Sequence, residues 1–303
     1  MFAARRARFE RSPLIPHIQI TERDIDILAH LDRHRLLRSC DISALIAGSR
    51  QQVLRRLQLL FHHGYVDRPR SQIEYFHRGG CRPFIYALNS RGASLLRQHQ
   101  PLRSGSTRFP KQNLSPLFLQ HAVQKSEIMV AVELACRRDP RVTFIPCREL
   151  INASRGKRPS FEWRVKIDSK TELGVIPDDV FALEYSNGDE QKHRALFFVE
   201  SDRSTMPIER RDLTKTSFRR KLLAYEATWL QKIHQTRFQC NRFRVLTITT
   251  SAERVRHLVE TCSKLKHGKG LFLFTDIGAL KCTNMLLAPW QTARGAFARL
   301  IDG

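Results

Sequence analysis

Acid is scarce in this chain: its 303 residues hold 29 Asp and Glu against 52 Lys and Arg, a formal net charge of +23. A surplus of that size points to a polyanionic partner, and nucleic acid is the commonest one. Long apolar runs are missing too. The longest, "IMVAVELAC", is broken by Glu133 and is too short to span a bilayer. The opening "MFAARRARFERS" has the charge of a secretion signal, but no apolar stretch follows it. We therefore expect a soluble, cytoplasmic protein with no membrane partner. The seven cysteines include no CxxC pair, which removes zinc ribbons and dithiol redox motifs and leaves reduced thiols. No Walker A loop, GxGxxG or GxSxG occurs, so ATP hydrolysis, hydride transfer and serine-esterase chemistry have no support.

What is present divides into four stretches: a basic tail over 1–20, a first domain over 21–98, a polar linker over 99–114 with two prolines, and a second domain over 115–303. In the first domain, "TERDIDILAHLDRHRLL" offers Thr21 as an N-cap with Asp24 three residues on. Ile25, Leu28 and Leu31 then recur at helical spacing. "DISALIAG", capped by Asp41, predicts a second helix, and "RQQVLRRLQLLFHHG", capped by Ser49 and stopped by Gly64, a third. Val53, Leu57, Leu60 and Phe61 form the inner face of that third helix. Arg50, Gln51, Gln52, Arg55 and Arg56 fall near its start, where a recognition helix reaches bases and phosphates. Two strands, 72–76 and 83–88, are expected around Gly79-Gly80, with Arg78 and Arg82 near the tip. Three helices and such a hairpin predict a winged helix-turn-helix that binds double-stranded DNA.

The second domain reads as a helix from Ser115-Pro116 to about Arg138, then strand-like runs at "VTFIPC", "EWRVKI", "LGVIPDDVFALEY" and "RALFFVES". A long basic helix is predicted over 208–233, holding Arg210, Arg211, Arg219, Arg220 and Lys221. A strand, a helix and a last strand at "GLFLFTD" follow, an order that implies a mixed sheet with flanking helices and an α+β or α/β fold.

The acids in "VIPDDVF" and "FFVESDRST" stand out against this background. Asp178 and Glu200 on neighbouring antiparallel strands would make a hard oxygen site suited to Mg²⁺ or Mn²⁺. Glu200, Asp202 and Arg203 could instead form a structural ion-pair network with Glu209, Arg210 and Arg211 that clamps the strand to the next helix. The strand order with Pro177-Asp178 and Glu200 resembles the PD-(D/E)xK nuclease superfamily. That resemblance implies a restriction-endonuclease-like domain in which Asp178 and Glu200 hold the metal. Asp202 stands where the superfamily carries lysine, so Lys221 from the next helix would serve as the catalytic cation. The stretch from "TERDIDIL" onward, with "YALNSRGASLL" and "FFVESDRSTMPIERR…KLLAY", is similar to the replication-relaxation family of plasmid and mobile-element proteins. The resemblance implies a DNA-handling role in replication, relaxation or mobilisation, with other plasmid replication or mobilisation proteins as partners and a homodimer as one form. A metal-dependent endonuclease or nickase, and a winged-helix transcription regulator, are the alternatives.

Overall fold

The computed structural model describes residues 8–12, 16–73, 82–100, 115–152, 161–186, 192–281 and 284–301. Arg78, the Gly79-Gly80 turn and most of the expected linker lie outside them. The chain forms two compact units, Met1–Val130 and Ala131–Gly303.

The first unit opens with α1 (Glu22–His34), β1 (Leu36–Arg38), α2 (Ser39–Leu45) and α3 (Arg50–His62). Thr21 and Asp24 cap α1 reciprocally, and Ile27, Leu28 and Leu31 are fully buried. In α2 the cap shifts from expectation. Arg38 is the N-cap, and Asp41, one turn in, accepts its backbone N–H at 3.2 Å and its Nε–H at 2.9 Å. Ser49 Oγ accepts from the Gln52 N–H at 3.3 Å to start α3. Gly64, at φ +75°, turns the chain out of its end, a conformation that costs a residue with a Cβ.

Then come β2 (Val66–Asp67), β3 (Ile85–Leu88) and α4 (Ser90–His99). The sheet runs β1-β3-β2, all antiparallel, with Leu37 opposite Tyr86 and Asp67 opposite Ala87. Of the strand expected over 72–76, Gln72 and Ile73 are helical and 74–76 lie outside the described residues. Gln72 sits in a helical turn, fully buried, and its side-chain amide brackets Ile85, donating to the carbonyl at 3.0 Å and accepting the N–H at 2.9 Å. A side chain thus supplies the pairing that a strand backbone would.

Helix α5 (Pro116–Arg138) begins in the first unit. Leu119 and Val123 pack with Leu36, Ile85 and Ala87, and Ser126 Oγ donates to the His34 carbonyl at 3.0 Å. These contacts explain why the division falls inside α5 and not at the linker, where the sequence sets the boundary.

The second unit contains β4 (Val142–Pro146), α6 (Cys147–Asn152), β5 (Trp163–Lys166), β6 (Glu172–Val175), β7 (Asp179–Ser186), β8 (Lys192–Ser201), α7 (Phe218–Leu230), α8 (Ile233–Thr236), β9 (Phe243–Thr249), α9 (Ala252–Ser263), β10 (Phe272–Asp276), α10 (Ile277–Lys281), β11 (Trp290–Thr292) and β12 (Phe297–Ala298). Seven strands form one sheet in the order β12-β11-β10-β9-β8-β7-β4. The β4-β7-β8 run is antiparallel, and β8, β9 and β10 are parallel. The fold is thus mixed α+β. Phe198, Val180, Val245 and Phe274 on one sheet face pack with Leu222 and Tyr225 of α7 and Leu258 of α9. Burying each such side chain contributes about 1.5–3 kcal/mol.

Two expectations need correction here. "EWRVKI" and the start of "LGVIPDDVFALEY" do not join the large sheet but form a separate hairpin, β5-β6. Its Trp163 donates Nε1–H to Thr228 Oγ1 of α7 at 2.8 Å. Pro177, which has no N–H for a ladder, separates β6 from β7. The long helix over 208–233 is also shorter than read. Residues 202–217 are irregular, and α7 starts only after Ser217, whose Oγ accepts the Arg220 N–H at 3.2 Å.

One backbone approach in the first unit gives a test of the packing. A Cβ on Gly92 of α4 would lie 2.2 Å from the Tyr65 carbonyl oxygen. Gly92→Ala is expected to destabilise this unit by about 1–3 kcal/mol, as overpacking against backbone does. Urea unfolding followed by far-ultraviolet circular dichroism measures it; unchanged stability would mean the helix stands off from Tyr65.

Candidate functional site

Strand β8 opens on Lys192-His193-Arg194, runs apolar from Ala195 to Val199, and then carries Glu200. Side chains alternate along a strand, so Glu200 shares the face of Leu196 and Phe198, towards α7. It is only 1% exposed. The β7–β8 register sets Asp179 opposite Val199, so one step further Asp178 comes opposite Glu200 on the same face. Two hydrogen bonds fix that step. Asp178 N–H donates to the Val199 carbonyl at 3.0 Å, and its Oδ2 accepts the Ser201 N–H at 2.8 Å. The two acids expected to meet therefore do meet.

Like charges opposite one another on a sheet repel, and a carboxylate without water is costly. Helix α7 answers both problems from one face. Lys221 Nζ forms an ion pair with Glu200 Oε2, and Tyr225, one turn on, donates its hydroxyl to Oε1 at 2.7 Å. Burial pushes the Glu200 pKa up, Lys221 pulls it back and Asp178 adds to the rise; the net shift is upward. Burial works against the Lys221 ammonium, but the charges of Glu200 and Asp178 outweigh it and raise its pKa. Tyr225, wholly enclosed and facing a carboxylate, is pushed well above its ordinary value and stays a donor.

Asp202 does something else. Its Oδ2 accepts from Arg254 Nε at 2.9 Å and from the Thr249 hydroxyl at 2.8 Å, and Arg254 Nη2 also reaches the Met206 carbonyl at 2.6 Å. This acid ties the end of β8 to α9. The network expected from sequence differs from this: Asp202 pairs with Arg254 of α9, 52 positions away, and Glu200 with Lys221, and not with Arg210 or Arg211. Glu209 pairs with Lys264 at 2.9 Å.

The donor set at the acidic pair fits a hard divalent cation. Two carboxylates converge there, and the Thr247 hydroxyl, in register with Glu200 on the next strand, is fully buried without a hydrogen-bond partner among the described residues.

The cationic residues sort into three groups. On α3, Arg50, Gln51, Gln52 and Arg55 are exposed. Arg56 is not among them: its Nε donates to Asp24 Oδ1 at 2.8 Å, its Nη2 pairs with Oδ2 and also bonds the Gln19 carbonyl at 2.8 Å. Arg56 holds α3 to α1. Arg82 is exposed just before β3. Arg210, Arg211 and Arg219 line a cavity of about 650 Å³ on the flank of α7 that carries Leu223 and Glu226, nearly opposite Lys221 around the helix. Arg220 is half-buried at the start of α7.

Removing the lysine tests whether Glu200 is charged. Lys221→Met keeps the aliphatic stem and leaves Glu200 with a hydroxyl alone, an expected loss of about 3–5 kcal/mol near pH 8. With its pKa above the ordinary 4.5, Glu200 keeps a proton that the unfolded chain has released. Native protein then binds more protons than unfolded chain, so stability rises as pH falls from the raised value towards 4.5. The deficit against wild type should narrow near pH 5 in urea melts; an equal deficit at both pH values would rule this out.

A family model described as replication-relaxation matches residues 28–241, which is 214 of the 303 residues. The match takes in Asp178, Glu200, Lys221 and Tyr225. Comparison with curated proteins and with solved structures gives no match. With more than two thirds of the sequence aligned, the chain belongs to the replication-relaxation family, which ties it to plasmid or mobile-element replication or relaxation.

Proposed function

We propose that the protein is a DNA-binding component of plasmid or mobile-element replication or relaxation, with a winged helix in its first unit that grips duplex DNA. The observation that carries this reading is the division of α3 into two faces. Val53, Leu57 and Leu60 are fully buried, while Arg50, Gln51, Gln52 and Arg55 stand in solvent at its N-terminal half. Glutamine can pair with adenine edges and arginine with guanine or phosphate. The three-stranded sheet behind α3 supports the same reading. Arg68 fastens it by stacking over Phe61, Phe84 and Tyr86 and donating to the Tyr86 hydroxyl at 3.0 Å.

The acidic pair favours a second reading, in which the second unit is a PD-(D/E)xK-like, metal-dependent endonuclease or nickase. Asp178 and Glu200 are the residues that would hold Mg²⁺ or Mn²⁺. A bound ion would polarise the phosphodiester and lower the pKa of an attacking water. Tyr225 and Lys221 each take one oxygen of Glu200, so the carboxylate keeps one orientation. The Lys221 ammonium brings positive charge to the place where a phosphoryl oxygen would gain negative charge. In this reading the lysine of the motif has moved from strand to helix, and Asp202 has taken a purely structural task.

Arg50→Ala/Arg55→Ala should weaken duplex binding and make the log–log salt dependence shallower by about 2, because fewer counterions are released. Arg56→Ala should act on folding instead, costing about 3 kcal/mol by leaving Asp24 buried and unpaired. Fluorescence anisotropy across a salt series decides the first; affinity unchanged at every salt concentration would count against the winged-helix reading.

For the second reading, supercoiled plasmid with Mg²⁺ or Mn²⁺ should yield nicked or linear product. Asp178→Asn and Glu200→Gln are each expected to lower the rate by about a hundredfold or more. Product formed equally by both variants would remove the acidic pair from the chemistry.

A further inference from the structure

We propose that the cavity on the outer flank of α7 is a nucleotide-binding site, separate from the acidic pair. Five cationic side chains line it, Arg210, Arg211, Arg219, Lys264 and Lys266, against two carboxylates, a surplus of three positive charges. Neither carboxylate neutralises that surplus. Glu209 accepts from Lys264 at 2.9 Å and from the Thr261 hydroxyl at 3.2 Å, and Glu226 accepts the His267 N–H at 2.6 Å. Among the described residues, Arg210, Arg211, Arg219 and Lys266 make no ion pair.

Three guanidinium groups around one concave surface match the oxygens of a phosphate, which accepts paired N–H bonds in a plane. The N-terminus of α7 does not do this work: Phe218 N–H goes to the Pro207 carbonyl at 3.0 Å, Arg219 N–H to that of Ile208 at 2.8 Å, and Arg220 N–H to Ser217 Oγ. The charge for anion recognition here comes from the side chains.

Size and floor select the rest of the ligand. A bare phosphate would fill a small part of 650 Å³, whereas sites of 300–1,000 Å³ enclose whole small molecules. Leu223 and Leu265 give the cavity an apolar patch, suited to the face of a base or ribose and useless to an inorganic ion. A phosphate joined to a flat, partly apolar body is a nucleotide. It reaches the site as a free nucleoside triphosphate or as one unit of a single strand of DNA. The inference does not depend on how the first unit binds duplex.

The full chain is titrated with ATP, with a single-stranded oligothymidylate and with sodium phosphate, by isothermal calorimetry. Saturable binding of ATP with weak binding of the oligonucleotide identifies free nucleotide as the source; the reverse identifies the strand, and either supports the site. Arg210→Ala/Arg219→Ala, both at accessible positions, should cut the favoured probe's affinity about tenfold or more. Lys170→Ala/Arg256→Ala, which removes two cations elsewhere, should change it by less than about twofold. Arg50→Ala/Arg55→Ala should leave it intact, so a failure of duplex binding stays distinguishable. The proposal is overturned if neither nucleotide probe saturates, if phosphate binds as tightly as ATP, or if Lys170→Ala/Arg256→Ala loses as much affinity as Arg210→Ala/Arg219→Ala.

Discussion

A carboxylate closed off from water at the end of the central strand constrains most of the second unit. Glu200 sits in the layer that Phe198 and Leu196 make apolar, opposite Asp178, where a charge without a partner would be costly. Cation and hydroxyl both come from α7, four residues apart, which is the spacing that puts them on one face. That pair of bonds fixes the rotation of α7 about its axis. With Lys221 and Tyr225 turned to the sheet, Arg219, Leu223 and Glu226 must point the other way and line the outer cavity. One buried charge therefore orients two surfaces.

The next acid along shows how differently a neighbouring residue can act. Asp202 is nearly as buried as Glu200, but its partner is a guanidinium from α9 that also caps the Met206 carbonyl. Thr249 at the end of β9 completes the set. All the hydrogen bonds run between the ends of parallel strands, the following helix and the loop between them, so the network's product is a rigid loop. A lysine at position 202 would face Arg254 and lose that tie.

The sequence made the apolar parts of this arrangement legible and left the long-range polar parts hidden. Helical spacing found α1 and α3 with their caps, since N-cap chemistry is local and Thr21, Asp24, Ser49 and Gly64 are adjacent to what they stop. Strand alternation found β7 and β8, and counting outward from their pairing brought Asp178 to Glu200. Tyr225 was readable as the i+4 neighbour of Lys221. Arg254 was not, because no local pattern links residues 52 apart. The irregular 208–217 stretch was read as helix because its charge run has helical composition; the cap at Ser217 puts the true start later. Gln72 imitates a strand by side chain, which backbone propensity cannot foresee. The short β11 and β12 carry too few residues to show a period.

Net charge of +23 does not translate into a uniform coat for nucleic acid. Arg56, Arg68 and Arg254 look in sequence like any other basic residue, yet each is consumed internally, by Asp24, by three aromatic rings and by Asp202. A guanidinium held by a buried carboxylate has no capacity left for phosphate. Among the described residues left after that subtraction are the exposed start of α3 and the lining of the cavity beside α7. The two differ in kind. On α3 the side chains project from a convex helix with glutamines among them, a form suited to a groove. Beside α7 they surround a concave apolar floor, a form suited to one small group. On the readings proposed above, the distribution of charge after internal pairing, more than its total, would separate duplex recognition from nucleotide recognition.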